Sequence, residues 1–144
     1  MTLALAEARA AAARGEVPVG AVVTDARTGA VLARAGNRVE ELCDPTAHAE
    51  ILAIRAAAAA LGEARLTGCD LTVTLEPCAM CAQAISLARI AKLTFGAYDP
   101  KGGGVEHGAR VFRQPTCNHQ PEIVGGLEER EAAALLRDFF KERR

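Results

Sequence analysis

The segment Asp70-Leu71-Thr72-Val73-Thr74-Leu75 alternates in character, is rich in β-branched residues, and runs straight into Glu76-Pro77-Cys78-Ala79-Met80-Cys81. This junction constrains the chain more than any other stretch. It predicts a strand over 70–75 that gives way to a helix over roughly 78–88, with Pro77 in the first turn, where no N–H is needed. Cys78 and Cys81, three residues apart, then share one face of that turn. The positive end of a helix favours thiolate over thiol. The carboxyl edge of the strands is where open α/β sheets hold their ligands. Taken alone, Cys-x-x-Cys after a strand also fits a thioredoxin-like redox pair or half of a structural zinc site.

The rest of the chain fits around this junction. An Ala-rich helix is expected over 3–14, stopped by Gly15, followed by a hairpin of strands over 19–24 and 30–35. Residues 36–45 read as polar and irregular. Thr46 is the expected N-cap of a helix over 47–61 that ends at Gly62. A short strand over 92–96 precedes a long loop, 98–121, of the kind that is functional or mobile. A final amphipathic helix spans 128–143. The order α-β-β-α-β-α-β-loop-α predicts one domain over 1–144, an α/β fold of three layers, α/β/α, around a central mixed sheet. Half the residues are apolar but only 3% are aromatic, so alanine must supply much of the packing. The five cysteines form an odd set, and no secretory signal is evident, so reduced thiols in the cytoplasm are expected. No apolar run approaches the roughly 18 residues of a membrane span.

His48 changes the weight of the cysteine pair. It opens a second expected helix, after Asp44-Pro45-Thr46-Ala47, and Glu50 follows two residues on. His48, Cys78 and Cys81 make three ligands for one Zn²⁺ per chain and leave one tetrahedral position open, which marks a catalytic rather than a structural site. Zinc brings the pKa of bound water down to about 7, and Glu50 can carry the proton that the water gives up. On an ideal helix, positions i and i+2 point roughly 200° apart. His48 must therefore stand at the very start of the helix, where the backbone is not yet regular.

His-x-Glu followed by Pro-Cys-x-x-Cys is the signature of the zinc nucleobase deaminases. The likeness extends through Glu16-Val17-Pro18-Val19-Gly20-Ala21, Gly36-Asn37-Arg38, Asp44 to Glu50, Val73 to Cys78, Asn118-His119 and Leu135 to Phe140. On these segments the chain resembles the bacterial tRNA-specific adenosine deaminases nearly end to end. The resemblance implies a cytidine deaminase-like fold, a homodimer, and conversion of the wobble adenosine of a tRNA anticodon to inosine. It implies that Glu50 is the proton shuttle and that Asn37 contacts the flipped nucleoside. The backbone amides near Ala49 and Cys78 would orient the water or base, and Asn118 would approach substrate. Gly102-Gly103-Gly104-Val105-Glu106-His107 and Tyr98 depart from the family pattern.

The formal net charge is -1, so any anion-binding surface must be local. Advancing 100° per residue from Arg130 puts Arg137, Lys141 and Arg144 within about 40° of it, with Leu136, Phe139 and Phe140 on the far side, toward the core. As like charges at i,i+4, Arg137 and Lys141 do not stabilise the helix. The stripe is either a solvated face or a contact for tRNA phosphates, and Lys101 is a further candidate contact. Two other functions stay open at this level. One is deamination of a free base or nucleoside, guanine or cytosine, at the same site. The other is a non-catalytic zinc module or redox protein, which would have no use for Glu50.

Overall fold

The structure, a computed structural model, covers residues 1–144. Its elements are α1 (Thr2–Ala13), β1 (Gly20–Asp25), β2 (Val31–Gly36), α2 (Val39–Leu42), α3 (Ala49–Leu61), β3 (Cys69–Leu75), α4 (Ala79–Leu87), β4 (Lys92–Ala97), β5 (Glu122–Gly125) and α5 (Glu129–Lys141), with a 3₁₀ turn at Val111–Arg113. The five strands lie in the order β2-β1-β3-β4-β5. β1 pairs antiparallel with β2 and β3, whereas β3, β4 and β5 run parallel. The sheet is therefore mixed. α3 packs over β1 to β3 beside α4, while α1 and α5 contact one another and cover β1 to β4. This is the expected three-layer α/β/α sandwich.

Strand alternation builds the two faces. Leu71, Val73, Leu93 and Phe95 join Ala53, Ala57, Ile85 and Ile90 in the main core. The opposite parity carries small residues. A Cβ on Gly20 would overlap the Ala4 carbonyl, and one on Gly36 or Gly96 would press on the Glu7 or Thr74 carbonyl. Ala4, Ala8 and Ala11 are wholly buried against this face. The alanine content thus becomes close helix–sheet approach, in which dispersion replaces aromatic bulk.

Several expectations change. Residues 36–45 are not all irregular, since α2 forms there. The long loop stops before β5, a four-residue edge strand paired only with β4. Thr46 is not an N-cap. Its N–H and Oγ1 both donate to Asp44 Oδ1, at 2.8 and 2.7 Å, and His48 takes the cap position of α3. Pro77 stands before the helix, whose cap is Cys78. α5 ends at Lys141, so Arg144 lies beyond the regular helix and outside the 100° construction. Phe139 is buried as expected, but Phe140 is 47% exposed.

Candidate metal centre and substrate cleft

Two helix starts make the centre. His48 caps α3 and Cys78 caps α4, both in extended conformation, with ψ of 152° and 174°. Extended caps turn their side chains out of the helical progression. That resolves the i,i+2 conflict: His48 lies outside α3, and Glu50 is its second residue. Cys81 is the third residue of α4 and wholly buried.

His48 Nδ1 lies 3.7 Å from Cys78 Sγ and 3.5 Å from Cys81 Sγ, and all three donor atoms fall within 4.8 Å of one another. Zn–S near 2.3 Å and Zn–N near 2.0–2.1 Å at tetrahedral angles require N···S edges of about 3.6 Å. The donor set fits Zn²⁺ in type, number and spacing, and offers three ligands rather than four. All five cysteines are free, and neither Cys43, Cys69 nor Cys117 joins the cluster. A hydrogen bond from Cys81 brings the Cys78 thiol down to about 4, with His48 reinforcing the shift against burial. The same bond, together with burial, pushes the Cys81 thiol up. His48 is raised mainly by its bond to Cys78. Burial raises the Glu50 carboxyl to about 7, and only 4% of that residue is exposed.

The centre opens into a cleft of about 660 Å³ shared by His48, Glu50, Cys78 and Asn37. That size suits a nucleoside. Ala49 is the first residue of α3 and fully buried, so only its backbone can face a ligand; first-turn N–H groups have no helical carbonyl to bond. Asn118 is not brought to the cleft. Its carbonyl accepts from Arg89 Nη1 at 3.2 Å, just past the far end of α4 from Cys78. Lys101 is exposed beside Gly102, which lines the cleft. Arg137, Lys141 and Arg144 are exposed.

Sequence reasoning missed four contributors. Phe139 and Arg143 line the cleft, with the Arg143 guanidinium 3.4 Å above the Phe139 ring centre. Their i,i+4 spacing was a usable signal. Glu16 stands buried in the cleft wall. Glu76 sits under the glycine-rich loop. Its Oε1 accepts from Asp99 N and His107 Nδ1, and its Oε2 from the N–H groups of Val105, Glu106 and His107, at 2.8 to 3.2 Å. Burial alone would raise this carboxyl, but the His107 and backbone bonds outweigh it and hold it below its ordinary value. A Cβ on Gly103 would strike Glu76, and one on Gly104 would strike the Ala79 backbone. The loop is pinned against the start of α4, the helix that carries Cys81, rather than loose.

A three-donor centre at the carboxyl edge of β3, with a buried carboxylate in a nucleoside-sized cleft, defines a zinc-dependent deaminase fold. The family described as cytidine and deoxycytidylate deaminase, zinc-binding region, matches residues 1–97, and the chain belongs to it. Within that family it falls among the tRNA-specific adenosine deaminases: it is 60% identical to the one from Agrobacterium fabrum over all 144 residues, covering 93% of that protein. A solved tRNA:A34 deaminase superposes with a TM-score of 0.92 at 60% identity, covering 94% of this chain and 97% of that one. The guanine deaminase of Nitrosomonas europaea gives 0.83 at 26% identity, covering 96% and 80%.

Proposed function

We propose that the chain converts the wobble adenosine of a tRNA anticodon to inosine, releasing ammonia, with His48, Cys78 and Cys81 as its zinc ligands. The observation that carries this reading is the convergence of those three donors, Glu50 and Asn37 on one cleft. Bound there, Zn²⁺ supplies a water that ionises near neutral pH. Glu50, in carboxylate form, takes a proton from the attacking water and passes it to the purine ring nitrogen. It then assists proton delivery to the amine as the C6–N bond breaks. Its raised pKa suits both directions of transfer. The first-turn amide of Ala49 helps hold the reacting group, and Asn37 contacts the base.

The tRNA substrate is supported by end-to-end identity with proteins named for that reaction. An anticodon-loop base is unpaired or readily splayed out, so it enters a cleft at low unstacking cost. Arg143 at the cleft and the exposed Arg137, Lys141, Arg144 and Lys101 supply cations for the loop phosphates. A homodimer in the cytoplasm completes the reading, and light scattering tests the dimer. No helix is long and apolar enough to cross a membrane.

The test is incubation with a tRNA transcript carrying adenosine at the wobble position. Nuclease digestion and chromatography should reveal inosine there. Turnover of free guanine or cytosine, with the tRNA untouched, would replace the substrate while keeping the chemistry.

A further inference from the structure

Glu16 is a buried carboxylate, 2% exposed, in the cleft wall. Its Oε1 accepts from Glu41 N at 2.8 Å, and its Oε2 from Glu40 N at 3.2 Å and Asn37 Nδ2 at 3.1 Å. The two backbone bonds cap α2. The third bond does something different, because it breaks the symmetry of the Asn37 amide. A carboxylate only accepts, so it must meet the NH₂ end of that amide. The backbone of Asn37 is fixed independently. Its N–H donates to the Val19 carbonyl at 3.0 Å, and its own carbonyl accepts from Arg14 Nη2 at 3.2 Å. Asn37 Oδ1 has no donor within the chain, yet it is not a sealed, unpaired atom. Asn37 lines the cleft, so its side-chain acceptor is left for a ligand.

We infer that Glu16 is a positioning residue that sets the polarity Asn37 presents to substrate: an acceptor, selecting bases that place an N–H donor at that edge. This rests on the reading that Asn37 contacts the base. A buried acceptor discriminates strongly against ligands lacking the matching donor, because it is otherwise left unpaired. Glu16→Gln leaves one oxygen for three donors. Kept toward Glu40 N and Asn37, that oxygen preserves the polarity of Asn37 and sets an NH₂ group against Glu41 N. Turned toward Glu41 N, it sets NH₂ against Glu40 N and Asn37, and the Asn37 amide turns over. Only an acceptor at position 37 forces the second orientation.

The experiment is a polarity swap, assayed as kcat and KM on the tRNA transcript, with zinc content and melting temperature measured for each variant. N37A should lose kcat/KM by about 10- to 100-fold with zinc retained, the size expected for a lost buried hydrogen bond. N37D places two carboxylates face to face and should also lose. The double variant E16Q/N37D restores the internal bond with donor and acceptor exchanged, and again turns an oxygen toward the cleft. It should recover about tenfold over N37D. Wild-type kcat/KM in N37A would sink the reading of Asn37 itself. An impaired N37A together with a double variant no better than N37D, at comparable melting temperature, would overturn the role of Glu16 alone. That comparison decides whichever way the amide of E16Q turns, and even if E16Q does not fold.

Discussion

At the residue scale, the centre depends on one conformational detail. His48 and Glu50 can serve one site because the first is a helix cap and the second lies inside the helix. The residue types and their spacing were legible in the sequence, and so was the need for an irregular start. The identity of the cap was not, because Thr46 is the stronger local capping residue. Asp44 took both of its donors in a tight turn, leaving the cap position to histidine. The roles proposed for these residues separate cleanly on substitution. Glu50→Gln keeps size and burial but removes the basic oxygen pair, and it leaves the three candidate donors themselves in place. Zinc content should stay at one per chain while turnover on the tRNA falls about 10²- to 10⁴-fold, the range for a lost proton carrier. Metal analysis beside single-turnover kinetics checks this; a variant that loses its zinc would make Glu50 part of the metal's support instead.

At the element scale, what escaped sequence reading was held by distant partners. α2 has four residues and too few internal bonds to form alone, and its first N–H groups are satisfied by Glu16, more than twenty residues away. β5 has four residues between Pro121 and Gly126, and half of them are exposed. It exists because β4 offers a parallel edge. The loop 98–121 shows no local period for the same reason: Glu76 gathers it from 23 to 31 residues away. Local pattern cannot record such contacts. The stable strands and helices, by contrast, were legible to within a few residues, because each carries its own period and its own stop signal. The Glu76 clamp gives a local prediction. Glu76→Gln retains one acceptor oxygen but turns an NH₂ group toward N–H donors, so it should destabilise the fold by about 2 kcal/mol, the cost of mispaired buried hydrogen bonds. Amide exchange should quicken at Asp99 and at Val105 to His107 more than in β3 or β4. Uniform acceleration across the sheet would mean that Glu76 supports the whole fold rather than this loop.

At the scale of the whole molecule, the sandwich brings α3 and α4 together at their N-termini, and the metal donors are divided between them. Held by the proposed donors, zinc would tie two helices that lie on either side of β3 in the chain order. An ion bound only by the folded state at 100 times its dissociation constant adds about 2.7 kcal/mol. Removing it with a chelator should lower the melting temperature by several degrees, and added Zn²⁺ should restore it. An unchanged melting temperature would show that the helices meet without the ion's help. Charge is the property that local motifs describe least. The chain carries 17 basic and 18 acidic side chains, so recognition of a polyanion must come from their arrangement. α5 provides one: Arg137 and Lys141 are exposed on its outer side, and past its end Arg143 reaches back over Phe139 into the cleft. The sequence pattern exposed the first two residues but not the third, whose place depends on where the helix stops. If this end of the molecule holds the anticodon loop, each phosphate contact on a single strand contributes about 0.7 to the slope of log affinity against log salt. The double variant R137A/K141A should bind the tRNA more weakly at low salt and lower that slope by about 1.4. The rate constant for a saturated complex should change little, since neither residue lines the cleft. Filter binding across a salt series measures the slope directly. An unchanged slope would make this face an ordinary solvated one and leave Arg143, within the cleft, as the cation of α5's end that meets the substrate.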